Sequence, residues 1–452
     1  MKILFLTDNF PPESNAPANR TFDHCVEWVK KGADVTVITC NPNFPKGKLF
    51  DGYKNKLYSK EMLSGIKVIR VWSFITSNRG TLKRILDYIS FALTSFFASF
   101  FVKTDIIVAT SPQLFTAFSG LLVSLFKGKP WVMEVRDLWP ESILAVEAMK
   151  TNGLLNKLQS LVDFLYLDAS MIVVVTDSFK KRIATDEIAL NKIKVIKNGV
   201  DQTKYYPKEP NEELLKQYDL KNKFVIGYIG THGMAHNLDF ILDCALQVTD
   251  PSVQFLFIGD GAFKTRLETK KEELNIKNVL MLDSIPSAEV PNYISLLDVA
   301  LVQLKKSVTF EAVLPSKIFE NAAMGKPILL GVEGEAKELI QNYNAGLCFE
   351  PENEQEFLTK VKSFQTDPKQ YIELVSGALK LAGDYKRSTL ANEMLKHLEL
   401  VVKTNGNSSA MRFKKKDMTK HERLKYRIIK MLDFVLISLV VIVVYFLVQR
   451  IL

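Results

Sequence analysis

Twice along this 452-residue chain, short apolar runs alternate with amphipathic stretches long enough to be helices, and that rhythm admits few folds. The first series opens with Lys2 to Thr7, passes a polar, proline-rich loop from Asp8 to Arg20, and enters an amphipathic segment from Thr21 to Lys31 closed by Gly32. Asp34 to Thr39 (DVTVIT) is the next strand. Strand, helix and strand in that order make a crossover unit, and such units build parallel sheets covered by helices. Ile66–Val71, Asp105–Ala109, Trp131–Val135, Met171–Val175 and Ile193–Ile196 continue the series. The polar stretch Tyr205–Glu213, which carries two prolines, reads as a linker. A second series then runs through Phe224–Ile229, Val253–Ile258, Val279–Leu282, Val299–Val302 and Ile328–Leu330. The pattern predicts two open parallel α/β domains, residues 1–200 and 223–375, joined by a linker over 201–222 and closed by helices over 376–402. Ligands of such domains bind at the carboxyl ends of the strands.

Charge and hydropathy set the tail apart. Residues 403–430 hold ten Lys or Arg against Asp417 and Glu422, so they carry nearly all of the net charge of +9. A nucleic-acid reader would carry its positive charge on the folded domains, so nucleic acid is not an expected partner. Phe434 to Val448 (FVLISLVVIVVYFLV) is uncharged and almost wholly apolar. With its neighbours it predicts a transmembrane anchor over 431–452, preceded by a basic juxtamembrane segment over 403–430 that stays cytoplasmic against anionic lipid. The expected location is therefore the cytoplasmic membrane, tail-anchored, with the folded domains facing the cytosol. Ile85 to Val102 is also rich in Phe and Leu but is broken by Ser, Thr and Asp87, so it is either a core helix or a patch that dips into a membrane surface. Four cysteines without CxxC spacing suit a reducing compartment and give no metal site.

One stretch concentrates chemistry. In Phe310 to Leu330 (FEAVLPSKIFENAAMGKPILL), Pro315 and Ser316 stand where a helix begins, and Gly325 and Pro327 stand where it ends. Lys317 and Glu320, three apart, share a face of that helix at its N-terminal end, which favours an anion. A nucleoside diphosphate fits: Lys317 toward the phosphates, Glu320 toward the ribose hydroxyls. The alternative is an amphipathic helix with a solvated ion pair between the two.

Several segments in order resemble the GT-B glycosyltransferases of retaining family 4. Lys2 to Asn9 with its proline-rich loop resembles the family's first strand and acceptor-side loop. Ile196 to Asp201 (IKNGVD) resembles its interdomain marker, Phe257 to Gly261 (FIGDG) a conserved strand end, and Pro315 to Pro327 its donor motif. Arg136 to Glu141 (RDLWPE) and Pro315-Ser316-Lys317 look closest to the subgroup that builds O-antigen and capsule sugars, including L-fucosamine transferases. The resemblance implies two Rossmann-like domains with parallel sheets facing a central cleft. It implies transfer of a sugar from a nucleotide-sugar, with retention and without a metal, to a lipid-linked glycan acceptor. The donor would lie against the C-terminal domain, at Lys317, Glu320, Ser316, Gly230, Thr231, His236 and Gly259. The acceptor would lie against the N-terminal domain, at Asn15, Asn19 and Glu141, with Asp137 as the catalytic carboxylate supported by Arg136. With no nucleophile evident on the reacting face, front-side attack is expected, the departing phosphate taking the acceptor's proton.

Three positions depart from the family. The first Glu of its EX7E pair falls on Ala312, with Glu311 one residue out of register. Its Arg and Lys after the first C-terminal-domain strand are replaced around Thr231 and His236. Its glycine-rich acceptor loop is Ser14 to Asn19 here. His236 could serve as a phosphate donor or be an ordinary surface histidine, and Arg136 with Asp137 could simply brace a loop. Two other functions fit the same fold, a nucleotide-sugar 2-epimerase and a degenerate nucleotide-binding scaffold. A dinucleotide oxidoreductase is disfavoured because no GxGxxG follows a first strand.

Overall fold

The computed structural model describes residues 1–44, 47–76, 81–111, 113–139, 141 and 153–406. Eight strands form the N-terminal sheet: β1 (Lys2–Leu6), β2 (Asp34–Cys40), β3 (Tyr58–Leu63), β4 (Ile66–Val71), β5 (Ile106–Ser111), β6 (Trp131–Val135), β7 (Met171–Val174) and β8 (Ile193–Val195). Their order is β3-β4-β2-β1-β5-β6-β7-β8. All neighbours are parallel except β3 and β4. The central strands are buried along nearly their whole length, as strands covered on both faces must be, and so read as continuous apolar runs. The antiparallel edge strand β3 (YSKEML) alternates exposed and half-buried residues, and its polar sequence gives no such signal.

The C-terminal sheet has six parallel strands: β9 (Phe224–Ile229), β10 (Val253–Ile258), β11 (Val279–Leu282), β12 (Val299–Gln303), β13 (Ile328–Gly331) and β14 (Gly346–Cys348). Their order, β11-β10-β9-β12-β13-β14, is the doubly wound order in which the chain reverses direction between β9 and β12. In the N-terminal sheet the same reversal falls between β1 and β5. Ligand crevices open at these reversals.

The chain crosses between the domains twice. The first crossing is the NGVD segment, where Val200 N–H donates to Tyr385 O at 3.0 Å and Arg387 N–H to Val200 O at 2.9 Å. The second carries the last helix, Arg387–Gly406, back onto the N-terminal domain. Its Leu390, Ala391, Met394, Leu395 and Leu398 pack in one core with Ile3, Phe5, Trp28 and Val37. Trp28 Nε1 donates to Ala391 O at 2.8 Å. The Arg387 guanidinium, buried, pairs with Asp23 at 2.6 Å and also donates to Gly199 O.

Two expectations are corrected. The helix expected from Thr21 begins at Ala16, because Asn15 caps it: the Asn15 side-chain oxygen accepts from Ala18 N–H at 2.9 Å, and proline occupies the first turn. Asn19 is therefore helical rather than a loop residue. The C-terminal transmembrane helix does not stand either. Among the described residues no helix is long and apolar enough to cross a membrane; the 19-residue helix Thr81–Ser99 is interrupted by Lys83, Arg84 and Asp87. The 431–452 segment and most of the basic run before it lie outside the described residues.

The Phe-rich stretch forms the helix Thr81–Ser99. One face, including Phe91, Ser95, Phe96 and Ser99, is buried, and Ser95 bonds Ser119 of the helix Leu114–Lys127 at 3.1 Å. The other face leaves Leu86, Leu93, Phe97 and Phe101 exposed, joined by Phe126, and Phe101 is 81% exposed. Phe100 stacks on Phe126 at 4.2 Å beneath this ridge.

Candidate active site

At the carboxyl end of β9 the chain turns through Gly230, Thr231, His232 and Gly233 into the short 3-10 turn Met234–His236. Backbone bonds clamp this loop onto the neighbouring strand end: Gly230 N–H donates to Ile258 O and His232 N–H to Asp260 O, each at 2.9 Å. The approach is so close that a Cβ on Gly259 would sit 1.8 Å from Gly230 O. Only glycine fits there, which explains the FIGDG sequence as packing between two strand-end loops. Tyr228, buried in β9, donates its phenol proton to Thr231 O at 2.8 Å and holds the loop from below.

Lys317 reaches this loop from the seven-residue helix Lys317–Ala323. Its Nζ lies 3.6 Å from the centre of the Tyr228 ring, and a Cβ on Gly230 would come within 2.8 Å of it. That Nζ, both ring nitrogens of His232 and Nδ1 of His236 are buried with no hydrogen-bond partner among the described residues. Burial pushes the Lys317 ammonium down to about 7, with Glu320 opposing the shift. Burial, with Lys264 and Lys317 nearby, pushes His232 down to about 4. Burial and Lys317 push His236 down to about 3. Buried polar groups without partners are costly, so a cluster of them facing one loop marks a candidate ligand site.

Glu320 lies one turn along the same helix. It makes no ion pair with Lys317, which removes the solvated-pair alternative. Burial raises its pKa, while Arg387 and Lys317 act against the shift. Ser316 precedes the helix in helical conformation, and its side chain makes no capping hydrogen bond. Thr231 is exposed, and Gly259 is buried. Ala312 is buried among apolar groups of the N-terminal domain, including that domain's main core, while Glu311 is exposed. Asn198 of the NGVD segment donates to Leu314 O at 3.3 Å, and Arg182 donates to Val308 O at 2.7 Å, so the segment before Lys317 runs along the domain boundary.

The facing edge of the N-terminal sheet is a charge network. Buried Glu134 in β6 pairs with Arg20 at 2.9 Å and Arg136 at 2.7 Å. Burial would raise its pKa, but the two guanidinium groups hold it down at about 2. Arg136 also donates to Pro17 O and Thr21 Oγ1. Its guanidinium thus braces the first turn of the helix Ala16–Lys30. Asp137 follows it, half-buried at the carboxyl end of β6. Asn15 is engaged as the helix cap and donates its amide to Asn9. Asn19 is half-buried, and Glu141 is exposed, 3.5 Å from Arg182.

Two residues here are not singled out by the sequence reading, although His232 lies within the Gly230–His236 loop that it assigns to the phosphates. His232 is hidden because a lone histidine in a Gly-Thr-His-Gly loop carries no spacing signal. Asp8, at the carboxyl end of β1 beside the chain reversal, receives the side-chain amides of Asn9 and Gln113. Burial lifts its carboxyl to about 6 against its backbone bonds and Arg136. Its position just past the first strand is the one available signal.

The model described as Glycosyltransferase Family 4 matches residues 18–204, and that described as Glycosyl transferases group 1 matches residues 210–380. The colanic acid biosynthesis glycosyl transferase WcaI of Escherichia coli is 25% identical over 382 residues, spanning 82% of this chain and 93% of that protein. The glycosyltransferase WbjE of Pseudomonas aeruginosa is 26% identical over 246 residues, covering 52% of this chain and 59% of that protein. Among solved structures, sucrose-phosphate synthase of Thermosynechococcus elongatus aligns with a TM-score of 0.72 at 13% identity, covering 89% and 99% of the two chains. Anabaena HepE in complex with UDP-glucose aligns at 0.67 with 18% identity, covering 88% and 99%. These structural likenesses establish the fold.

Proposed function

The chain belongs to the GT-B glycosyltransferases of family 4, and on that premise we propose how its two halves divide the reaction. The nucleotide-sugar donor binds the C-terminal domain. Its diphosphate meets Lys317, His236 and the loop from Gly230 through Thr231, and its ribose hydroxyls donate to Glu320. Ser316 and the backbone beside Gly259 complete the donor side. The observation that carries this reading is the set of buried, unpartnered nitrogens of Lys317 and the two histidines around one glycine-lined loop. Charge on a leaving diphosphate is compensated there by side chains and backbone N–H groups, with no call for a metal.

The acceptor binds the opposite edge, with Asp137 orienting its hydroxyl, Asn15, Asn19 and Glu141 around it, and Arg136 positioning that loop. The sugar is transferred with retention by front-side attack, the departing phosphate accepting the proton. The acceptor is a lipid-linked glycan in cell-surface polysaccharide synthesis. The biosynthetic setting named for WcaI supports this, as does the exposed apolar ridge of Leu93, Phe97, Phe101 and Phe126. No carboxylate lies between Tyr88 and Thr104 or between Leu114 and Pro130, and the charged residues there are Lys103, Lys127 and Lys129, which suits an anionic lipid surface. The epimerase alternative has no support among the relatives, which are named as transferases.

The test is incubation of the full-length protein with a panel of nucleotide-sugars and polyprenyl-diphosphate sugars, followed by mass spectrometry of the lipid product. Extension of a lipid-linked sugar is expected. Donor isomerisation without extension, or nucleotide binding without turnover, would overturn the reading.

A further inference from the structure

We propose that His232, His236 and Lys317 form a phosphate cradle that carries little charge in the empty protein above neutral pH and acquires its positive charge as protons taken up with the donor diphosphate. The inference rests on the nucleotide-sugar reading above and deepens it by assigning His232 to the site and giving the site its charge chemistry.

The geometry leads there. Three basic side chains from two elements present buried nitrogens to one loop, and no carboxylate within 4.0 Å pairs with Lys317. A permanently charged arginine held there empty would stand desolvated and without a counterion, at a cost of several kcal/mol by general experience. A base that can release its proton avoids that cost while the site is empty. This accounts physically for Thr231 and His236 where relatives are expected to carry Arg and Lys.

The surrounding charges do not undo the argument. From the Lys317 helix comes Glu320, itself acted on by Arg387, Asp23 and Lys204. From beyond β10 come Asp260 and Lys264, the latter already paired with Asp283. From β9 comes the Tyr228 phenol, which stays protonated in its buried place. The depressed pKa values of the three bases agree with this arrangement. Two incoming phosphate charges reverse the balance: they favour the charged forms, the pKa values rise, and protons are drawn from solution. Near pH 8 the change falls chiefly on Lys317, while the histidines act as neutral N–H donors or take part of the charge.

Isothermal titration calorimetry of the full-length protein tests this with UDP-, GDP-, ADP- and dTDP-glucose, whose diphosphate diesters do not themselves titrate near neutrality. The titrations are run at pH 8 in buffers of different ionisation enthalpy. The expected result is uptake of about one proton per donor bound, with affinity falling about tenfold per pH unit between pH 7.5 and 8.5. Lys317→Arg carries its charge into the empty site, so whatever donor affinity it retains should show no buffer dependence and a flattened pH profile. A His232→Asn/His236→Asn double variant should weaken binding at least about tenfold. Donor binding by the unaltered protein with no buffer dependence would overturn the proposal, as would uptake in Lys317→Arg undiminished from that of the unaltered protein. Failure of every nucleotide-sugar to bind would instead overturn the donor reading on which it stands.

Discussion

Replacing Glu320 with alanine separates binding from folding. In the proposed donor complex this carboxylate accepts hydrogen bonds from two ribose hydroxyls. A hydrogen bond to a charged group contributes about 1.5–3 kcal/mol, and each 1.4 kcal/mol is a factor of ten. Loss of one such contribution net of solvent predicts affinity for nucleotide-sugar weaker by about 10-fold to 100-fold. The fold should not suffer. Among the described residues no ion pair holds the carboxylate, burial raises its pKa, and Arg387, Lys317 and Lys204 act on it only as field charges. Removing this half-buried carboxylate should leave the thermal midpoint unchanged or raise it slightly. The assay is paired: calorimetric titration for affinity and differential scanning fluorimetry for stability. Unaltered affinity in a folded variant would refute the ribose assignment. A sharp loss of stability would show that Glu320 supports structure rather than ligand.

Other perturbations address other parts. Gly259→Ala forces a Cβ against Gly230 O, so the donor loop must shift, and kcat/KM for the donor should fall by about 100-fold as in a misplaced site; an unchanged kcat/KM would dissociate the loop from donor binding. Arg387→Met removes a buried partner of Asp23, which keeps Lys204 at 3.0 Å, and should destabilise the protein by about 1.5–3 kcal/mol in chemical denaturation; an unchanged midpoint would deny it an interdomain role. Glu13, with its pKa raised to about 7 by burial, holds a proton in the folded state that the unfolded chain releases above 4.5. Its contribution is therefore fully present below pH 4.5 and is lost as pH rises through about 7, so the stability advantage of the protein over Glu13→Gln should shrink across that window, and a constant difference would contradict the burial argument. Anionic vesicles should slow amide exchange in residues 95–103, and Phe97→Ser/Phe101→Ser should abolish the effect; identical exchange with and without vesicles would leave the ridge without a lipid role.

The parallel architecture was legible because buried strands need continuous Val, Ile, Leu and Phe, and β1, β5, β10 and β12 supply them. The edge strand β3 was not, since an edge needs no apolar run, and β14 spans three residues beginning with glycine. Lys317 and Glu320 were found because helix entry and exit residues bracket them. What spacing could not tell is that they do not pair: Lys317 turns over Tyr228, a contact between segments about 90 residues apart. The same blindness hid His232. Around Asn15 the failure was one of local chemistry, since the proline-rich stretch concealed a capped helix start.

The return of Arg387–Gly406 to the first domain has a consequence for biosynthesis. Leu390 to Leu398 complete a core begun by Ile3 and Phe5, so the amino-terminal half emerges from the ribosome with its hydrophobic surface uncovered until almost the whole polypeptide has been made. The N-terminal lobe is then not an independent cassette. A chain stopped by a premature codon near residue 385 would leave Trp28 bare and be a ready substrate for proteolysis.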